Sequence, residues 1–492
     1  MRVLLISIFL VPILTGLLCL PLRSPRALER VNLAGFAITA GLAGVLWASV
    51  RRQGQVLGLG GFLRADALSA LVVGVTSFVA LVCAIYAIGY FRQDLRDGRV
   101  TEKQLWHYYI LTPLFVGAML LAPIVDNLGV MWVAIESTTL ASVLLVTFYN
   151  QKTSFEAGWK YIIIGSVGIS LALFGTVVTY SAGIGVLGEH AGQGMNWSVL
   201  AEIAPRFNPN AMRVAFVLVL VGYGTKAGLV PMHTWKPDAY AEAPVPAATL
   251  LGAGFINCAV YAIMRFNVLA QKCLGSEFPA GLLIAFGVVT ILVAAPFVLV
   301  QRNFRRLLAY SSIDHAGIMI AALGFGGELG TLAAVLHMLF HGVTKPLLFF
   351  SAGAVQQEYG SPYFRKVHGV IQRLPWTGML FLVAAFAVTG VPPFSLFQSE
   401  FTALSAAIHA GHAWAALLFT AGVVTIFIGF LIHMSRMNLG ISLEAPGRGS
   451  ECPWKLGSML GIALLITVLG FWVPGPVYGL LRDSASILGG LR

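Results

Sequence analysis

The sequence predicts an all-α polytopic membrane protein with about 14 transmembrane helices, each recognised as an apolar run long enough to cross a bilayer. Three observations support this class. Of the 492 residues, 58% are apolar and only 10% are charged, whereas a soluble domain carries roughly 25% charged residues. Apolar stretches of about 20 residues, enough to span a hydrocarbon core of about 30 Å, recur along the whole chain. Disordered chains, disulfide scaffolds and ordinary cytosolic enzymes are therefore excluded.

The predicted spans follow one another with short polar loops between them, and the fourth and fifth are separated only by a tight turn. We interpret the first as a retained helix because no A-x-A cleavage site follows it, and a cleaved signal peptide is the alternative. In chain order the spans lie near residues 3–22, 31–50, 66–91, 107–123, 125–148, 158–182, 211–231, 243–268, 279–300, 305–324, 331–355, 375–391 continuing as 394–411, 413–435 and 456–475.

The distribution of positive charge along the chain predicts its orientation in the membrane. The net charge is +11, but no basic stretch is interleaved with aromatic residues, so nucleic acid is not an expected partner. Lys and Arg concentrate in alternate loops, and the richer side is cytoplasmic by the positive-inside rule. Both termini are therefore predicted on the outer side. The five cysteines are scattered without a CxxC pair, so no iron–sulfur or zinc site is visible. We expect no catalytic residue, no cofactor and no bound metal in this chain.

Several ionisable residues fall inside the predicted spans, where an unpaired charge is expensive and a functional role is the first hypothesis. Lys160 opens the sixth span, and Glu400 follows a broken segment. The remaining members of this set are Glu136, Lys226, Asp314, His315, His337, His341 and Lys345.

His337, His341 and Lys345 recur at every fourth residue. On an α-helix such positions drift by only about 40° per step, so the three side chains form one stripe about 12 Å long. This stripe favours a proton-transfer chain. A zinc site on the two histidines and a static hydrogen-bond cluster are the alternatives, but the sequence offers no third metal ligand.

Glu136 and Lys226 form the second candidate arrangement. A buried carboxylate and a buried ammonium each lose hydration, and each regains its charged form when the other is near. Separating the two groups would release the lysine proton. The pair is therefore predicted to act as a proton switch, with two unrelated structural charges as the alternative.

Prolines interrupt two of the spans. Pro231 follows Lys226, and Pro392 and Pro393 precede Glu400. Proline breaks the helical hydrogen-bond ladder and frees carbonyl groups inside the membrane. The two broken spans are five apart in the order, which predicts two inverted five-helix repeats, each with a proline-broken helix; incidental kinks are the alternative.

The segments that carry these residues resemble a known family. The most recognisable reads GYGTKAGLVPMHTWKPDAYAEAPVPAATLLGAGFINCAVYAIMRF, and the match extends over about 107–411 through IESTTLAS, WKYIIIGSVGISLALFGT, RRLLAYSSIDHAGI and HMLFHGVTKPLLFFSAGAV. The chain resembles the antiporter-like membrane subunits of respiratory complex I, whose fold also occurs in Mrp-type sodium/proton antiporters and membrane-bound nickel–iron hydrogenases. It is most similar to the hydrogenase-4 component F type through IESTTLAS, AGWKY and VPPFSLFQSEF.

The resemblance implies roles for single residues. Glu136 and Lys226 fall on the proton-input pair of the family, and Glu400 falls on a twelfth-helix position that is Lys in some members and Glu in others. Asn257 departs from the pattern, because many members have Lys or His there as a central link. An amide cannot hold an extra proton, although it can order water. The implied proton path comprises Glu136, Lys160, Lys226, Asn257, Asp314, His315, His337, His341, Lys345 and Glu400.

The resemblance also implies an organisation into four segments. These are an N-terminal three-helix segment (1–106), a first inverted repeat or half-channel (107–268), a second half-channel (279–411) and C-terminal helices (412–492). The expected location is a bacterial or archaeal cytoplasmic membrane.

The favoured function is that of a non-redox, proton-translocating subunit of a redox-driven complex of the hydrogenase-4/formate hydrogenlyase or complex I-like kind. The expected partners are other membrane subunits, a soluble redox or hydrogenase arm, the lipid bilayer and protons. One alternative is an Mrp-type Na⁺/H⁺ antiporter subunit, for which Na⁺ is also an ion. Two others are a membrane module that energises inorganic-carbon uptake and a scaffold that conducts no ion.

Overall fold

The computed structural model describes residues 2–187, 193–440 and 449–489, and these ranges are almost entirely helical. Residues 441–448 and 490–492 of the predicted C-terminal segment lie outside the described residues. The helices in these ranges are α1 (Arg2–Cys19), α2 (Pro25–Gln53), α3 (Ala67–Arg96), α4 (Glu102–Leu121), α5 (Leu128–Val146), α6 (Lys152–Gly183), α7 (Trp197–Ile203), α8 (Pro209–Ala227), α9 (Trp235–Glu242), α10 (Val245–Thr249), α11 (Ile256–Leu274), α12 (Glu277–Val300), α13 (Phe304–Phe325), α14 (Gly327–Tyr359), α15 (Val370–Arg373), α16 (Pro375–Val388), α17 (Ser395–His409), α18 (Ala413–Leu439), α19 (Pro453–Phe471) and α20 (Gly475–Leu488).

Short 3-10 turns and two further pieces connect some of these helices. A π-helical turn, Leu250–Phe255, joins α10 to α11. A small hairpin of β1 (Val56–Gly58) and β2 (Leu63–Ala65) connects α2 to α3, with Val56 opposite Ala65.

The described residues contain eleven helices that are long and apolar enough to cross a membrane. The polytopic membrane class predicted from composition is therefore confirmed, while the total of about 14 spans stays a prediction. Two predicted spans correspond to shorter apolar helices, α1 and α16. The helix before Pro231 ends at Ala227, four residues earlier than predicted.

The loop at 183–212 contains a helix that the sequence does not reveal. Residues 188–192 of that loop lie outside the described part, and α7 follows them. Seven residues are too few for a helical period to stand out. The helix is fixed by tertiary contacts, since the Trp197 indole donates to the Arg265 carbonyl at 2.9 Å.

The centre of the molecule is formed by the segment from α10 to α11 together with α13 and α14, which are buried along almost their whole length. Around them, α2, α6 and α18 expose apolar side chains on their outer faces. Glycines let the helices approach closely, as membrane helices require. A Cβ at Gly222 would meet the backbone of Ala172 on α6, and one at Gly287 would meet Ala321 on α13.

Two helix breaks divide the predicted broken spans. The first lies between α8 and α9 and contains Pro231, and the second lies between α16 and α17 and contains Pro392 and Pro393. Each begins at a glycine with positive φ: Gly228 (+84°) and Gly390 (+65°). In both breaks a proline stands three residues after that glycine.

Candidate functional site

Glu136, Thr139 and Lys226, here called the first cluster, meet where α5 faces α8. The Lys226 ammonium lies 3.2 Å from the Glu136 carboxylate and also donates to the Thr139 hydroxyl. That hydroxyl in turn donates to the Glu136 carboxylate at 3.2 Å. On α6, Gly165 leaves room for the ammonium, because a Cβ there would lie 3.2 Å from Nζ. The structure thus brings together the two groups of the predicted pair.

The two charges of the first cluster differ in exposure. The Lys226 side chain is fully buried, whereas 24% of the Glu136 side chain is exposed. Its neighbours on the outer face of α5 are the exposed apolar residues Val133 and Leu140. A partly exposed carboxylate in the middle of a membrane helix requires a polar neighbour or water.

The second cluster gathers side chains from α13, α14 and α17. His315 Nδ1 lies 2.9 Å from His337 Nε2, and His337 Nδ1 lies 3.0 Å from the Ser399 hydroxyl. The His341 ring lies 5.1 Å from that of His315, centroid to centroid. The members of this cluster are Ser311, Asp314, His315, His337, His341, Lys345, Ser399 and Glu400, and all of them are buried.

One end of the second cluster is cationic. The Lys345 ammonium donates to the Ser311 hydroxyl at 2.6 Å. Within the described residues, Asp314 Oδ1, His315 Nε2 and both ring nitrogens of His341 have no hydrogen-bond partner in the protein. Buried polar atoms of this kind are normally satisfied by ordered water, so the cluster provides a polar interior in which water can bridge the side chains.

Glu400 closes the other end of the second cluster. Its carboxylate lies against Gly390 in the second helix break, where a Cβ would collide with it. Glycine at 390 therefore serves both the positive φ of the break and the close approach of the carboxylate. The glutamate comes from α17 and its neighbouring histidines come from α13 and α14, so three elements position this end.

The second cluster also has the composition of a metal site. His315, His337 and Glu400 each offer a ligand atom, and these atoms lie within 4.8 Å of one another. This set differs from the His337/His341 pair considered from the sequence, because its ligands come from three separate helices. Around a tetrahedral zinc with Zn–N bonds of about 2.0 Å, two nitrogens would stand about 3.3 Å apart. The observed 2.9 Å is a hydrogen-bond distance, which favours a proton shared between the imidazoles.

Two residues of the predicted path stand apart from both clusters. The Lys160 side chain is 45% exposed and pairs with Glu156 at 2.6 Å and with Asp238 at 2.9 Å, in a surface group that includes Arg306. Asn257 is fully buried, and its amide donates to the carbonyls of Ala253 and Met338 at 3.1 and 3.4 Å.

Sequence reasoning missed Lys236, which it assigned to a cytoplasmic loop. The residue is fully buried, and its ammonium donates to the Ala227 carbonyl at the end of α8. The indole of the adjacent Trp235 donates to the Thr225 carbonyl at 2.9 Å. The available signal was the position between Pro231 and Pro237, since carbonyls freed by a helix break need donors.

Comparisons with known proteins place the chain among relatives. Residues 125–429 match the family described as NADH:quinone oxidoreductase/Mrp antiporter, TM. The hydrogenase-4 component F homolog of Methylacidiphilum infernorum is 34% identical over 429 residues, which cover 87% of this chain and 89% of that protein.

Solved structures share the fold over nearly the whole chain. The structure of the membrane-bound sulfane sulfur reductase, an archaeal respiratory membrane complex, contains a chain with a TM-score of 0.85 and 25% identity, covering 99% of this chain and 96% of the other. A chain of the Mrp complex from Dietzia sp. DQ12-45-1b has a TM-score of 0.86 at 20% identity, with 99% and 97% covered. The second likeness shows the fold alone.

Proposed function

The chain belongs to the NADH:quinone oxidoreductase/Mrp antiporter transmembrane family, and from this premise we propose that it moves protons across a cytoplasmic membrane as a subunit of a redox-driven complex. The path runs through buried Glu, Lys and His side chains. Electrons are handled by partner subunits, and this chain supplies the proton path.

The observation that carries the proposal is the pair of buried ionisable clusters, each beside a helix break. Lys226 lies at the end of α8, and Glu400 lies against the break before α17. Burying an ionisable group inside a membrane-spanning segment costs several kcal/mol, so such groups are rarely kept for structure alone and typically mark ion pathways. Six titratable side chains in one buried cluster exceed what helix packing requires.

In the proposed path, protons enter at Glu136 and Lys226, pass Lys345, His341 and His337, and leave at Glu400. The first step opens the ion pair, after which the lone ammonium can give up a proton. In the second cluster the His315–His337 contact of 2.9 Å allows a proton on one ring to be shared with the other. Ser399, hydrogen-bonded to His337, lies on α17 and directly precedes Glu400.

The same proposal includes two inverted repeats, at 107–268 and 279–411. It also includes about 14 spans and termini on the outer side of the membrane. The likeness of the two breaks supports it. In each, a positive-φ glycine begins the break, and a charged side chain from the following helix lies over that glycine: Lys236 over Gly228 and Glu400 over Gly390.

We propose the proton as the transported ion because of the ligands around Glu136. Its neighbours are one ammonium and one hydroxyl, whereas a hard cation such as Na⁺ needs several oxygen ligands. Transport that requires Na⁺ in the assay below would instead favour the Mrp-type antiporter.

A partner subunit is expected on the face formed by α5 and α6. Glu136 is partly exposed there among large apolar side chains that include Leu140, Trp159 and Ile163. The assembly of relatives into respiratory and Mrp complexes also supports membrane partners. We place the soluble redox or hydrogenase arm beyond those partners.

The test is redox-driven proton uptake by inverted vesicles that hold the intact complex, with Lys226→Ala and Glu136→Gln compared with the wild type. Pumping should fall by about tenfold or more, as when a proton-transfer group is removed, while assembly persists. Lys455→Gln is the matched control, because Lys455 is also buried but is hydrogen-bonded to Gln93 and Gln357 away from the path. Normal pumping by both variants would contradict the proposal and favour the scaffold.

A further inference from the structure

Lys236 places a buried amino group in the first helix break, and the described residues supply no carboxylate partner for it. Its hydrogen bond goes to the Ala227 carbonyl, and its side chain crosses Gly228, where a Cβ would collide with it. A buried charge without a counter-ion is expensive. Capping one carbonyl does not require an ionisable group, because a neutral donor would serve.

The position of Lys236 links the two clusters. Its acceptor, Ala227, directly follows Lys226 of the first cluster. On the other side, Lys236 Nζ lies 5.8 Å from the centre of the Tyr240 ring, and that ring lies 6.0 Å from the ring of Phe349 on α14, four residues beyond Lys345. Lys236 therefore lies between the end of α8 and the cationic end of the second cluster.

The alternative link through the middle of the molecule is Asn257. Its amide donates to Met338 on α14, and a Cβ at Gly342 would lie 3.2 Å from it, so this residue does face the helix of the second cluster. An amide has no site for an additional proton at physiological pH. Asn257 therefore supports proton transfer between the clusters only by ordering water, whereas a titratable group would hold the proton itself.

We propose that Lys236 is that group: it accepts a proton from the first cluster and passes it to the second. The inference rests on the proposed function. When the Glu136–Lys226 pair opens, Lys226 gives its proton to neutral Lys236 through water in the break. The ammonium formed at Lys236 disfavours the charged form of Lys345, since like charges repel, and the Lys345 proton moves on along α14. One proton enters and one leaves: an N–H bond breaks at Lys226 and one forms at Lys236, and each relaying water gains one O–H bond and loses another.

The second break supports this assignment by its construction. There the group over the positive-φ glycine is Glu400, a member of the buried cluster, and in the first break it is Lys236. Both side chains come from the helix that follows the break. The corresponding positions in the two halves are thus each held by one titratable residue.

The test uses the intact complex in proteoliposomes and measures proton uptake driven by an imposed membrane potential, so that it does not depend on the driving reaction. Lys236→Gln keeps a donor for Ala227 but cannot carry a proton. Lys236→Arg keeps both donor and charge but holds its proton throughout the physiological range. Both should lower the flux by about tenfold or more. Adding Asn257→Lys to Lys236→Gln should restore most of the flux, because it puts a titratable group beside α14.

The outcomes separate this inference from the proposed function. If the wild type conducts, Lys226→Gln does not, and Lys236→Arg conducts normally, then Lys236 is only a cap and the inference is wrong. The inference is also wrong if the double variant Lys236→Gln/Asn257→Lys assembles but does not regain flux. A lysine at position 257 should replace a proton carrier, whereas it cannot replace a structural cap on Ala227. If the complex with Lys236→Gln does not assemble, the flux through the Lys236→Arg variant decides whether Lys236 is a proton carrier or a structural cap. Absence of flux in the wild type overturns both proposals.

Discussion

Thr139 shows how a single hydroxyl connects the two charges of the first cluster. It accepts a hydrogen bond from Lys226 and donates one to Glu136. A proton that leaves the ammonium therefore has an oxygen within reach on its way to the carboxylate or to water. The pairing of Glu136 with Lys226 was predictable from their places in two spans and from the family resemblance. The participation of Thr139 was not, because threonine is common in helices of every kind.

Replacing Thr139 with valine should slow proton flux without impairing assembly. The hydroxyl is lost at nearly constant volume, and a hydrogen bond of this kind contributes about 1 kcal/mol, or about fivefold in rate. Thr138→Val is the control, because the Thr138 hydroxyl is also buried but donates to the Ile135 carbonyl of its own helix. The measurement is potential-driven proton uptake at equal complex content, and equal flux in the two variants would remove Thr139 from the path.

At the scale of elements, the helix breaks were predictable and their contents were not. Pro231, Pro392 and Pro393 interrupt apolar runs, and proline removes a helical hydrogen bond and clashes with the preceding turn. Which side chains enter the breaks depends on tertiary packing: Lys236 counted as a loop charge, and Glu400 gave no sign that it would meet His315 and His337. The exposure of Lys160 was not predictable either, because position along a span does not tell which face of the helix is exposed, and its role in the path stays a prediction.

Gly390→Ala should both destabilise the complex and impair transport. Alanine at φ +65° costs about 1–2 kcal/mol, and its Cβ would displace the Glu400 carboxylate. Gly411→Ala separates the two effects, since Gly411 also has positive φ (+77°) but has open space around its Cβ position. Thermal unfolding and proton flux are measured on both variants. We expect similar unfolding shifts but a transport defect only at 390, and a defect of the same size at 411 would contradict the role given to Glu400.

At the scale of the whole molecule, the two clusters lie in different halves of the chain, and the proposed link between them is Lys236. Composition and span length were sufficient to predict the membrane class, because a bilayer imposes its thickness on every helix. The sequence could not show whether the halves work together, since that depends on distances between helices far apart in the chain. In the structure Lys236 contacts the Ala227 carbonyl beside the first cluster, and the proposed path in series starts from this contact.

A path in series makes a sharp prediction for combined variants, and this is the most direct test of the account. Potential-driven proton flux would be measured in proteoliposomes for Lys226→Gln, for Glu400→Gln and for the double variant, with assembly checked on the same samples. Groups that act in one pathway are strongly non-additive. The account predicts that each single variant abolishes flux and that the double variant is no worse. Partial flux in each single variant, with the losses adding in the double, would show two independent routes and contradict it.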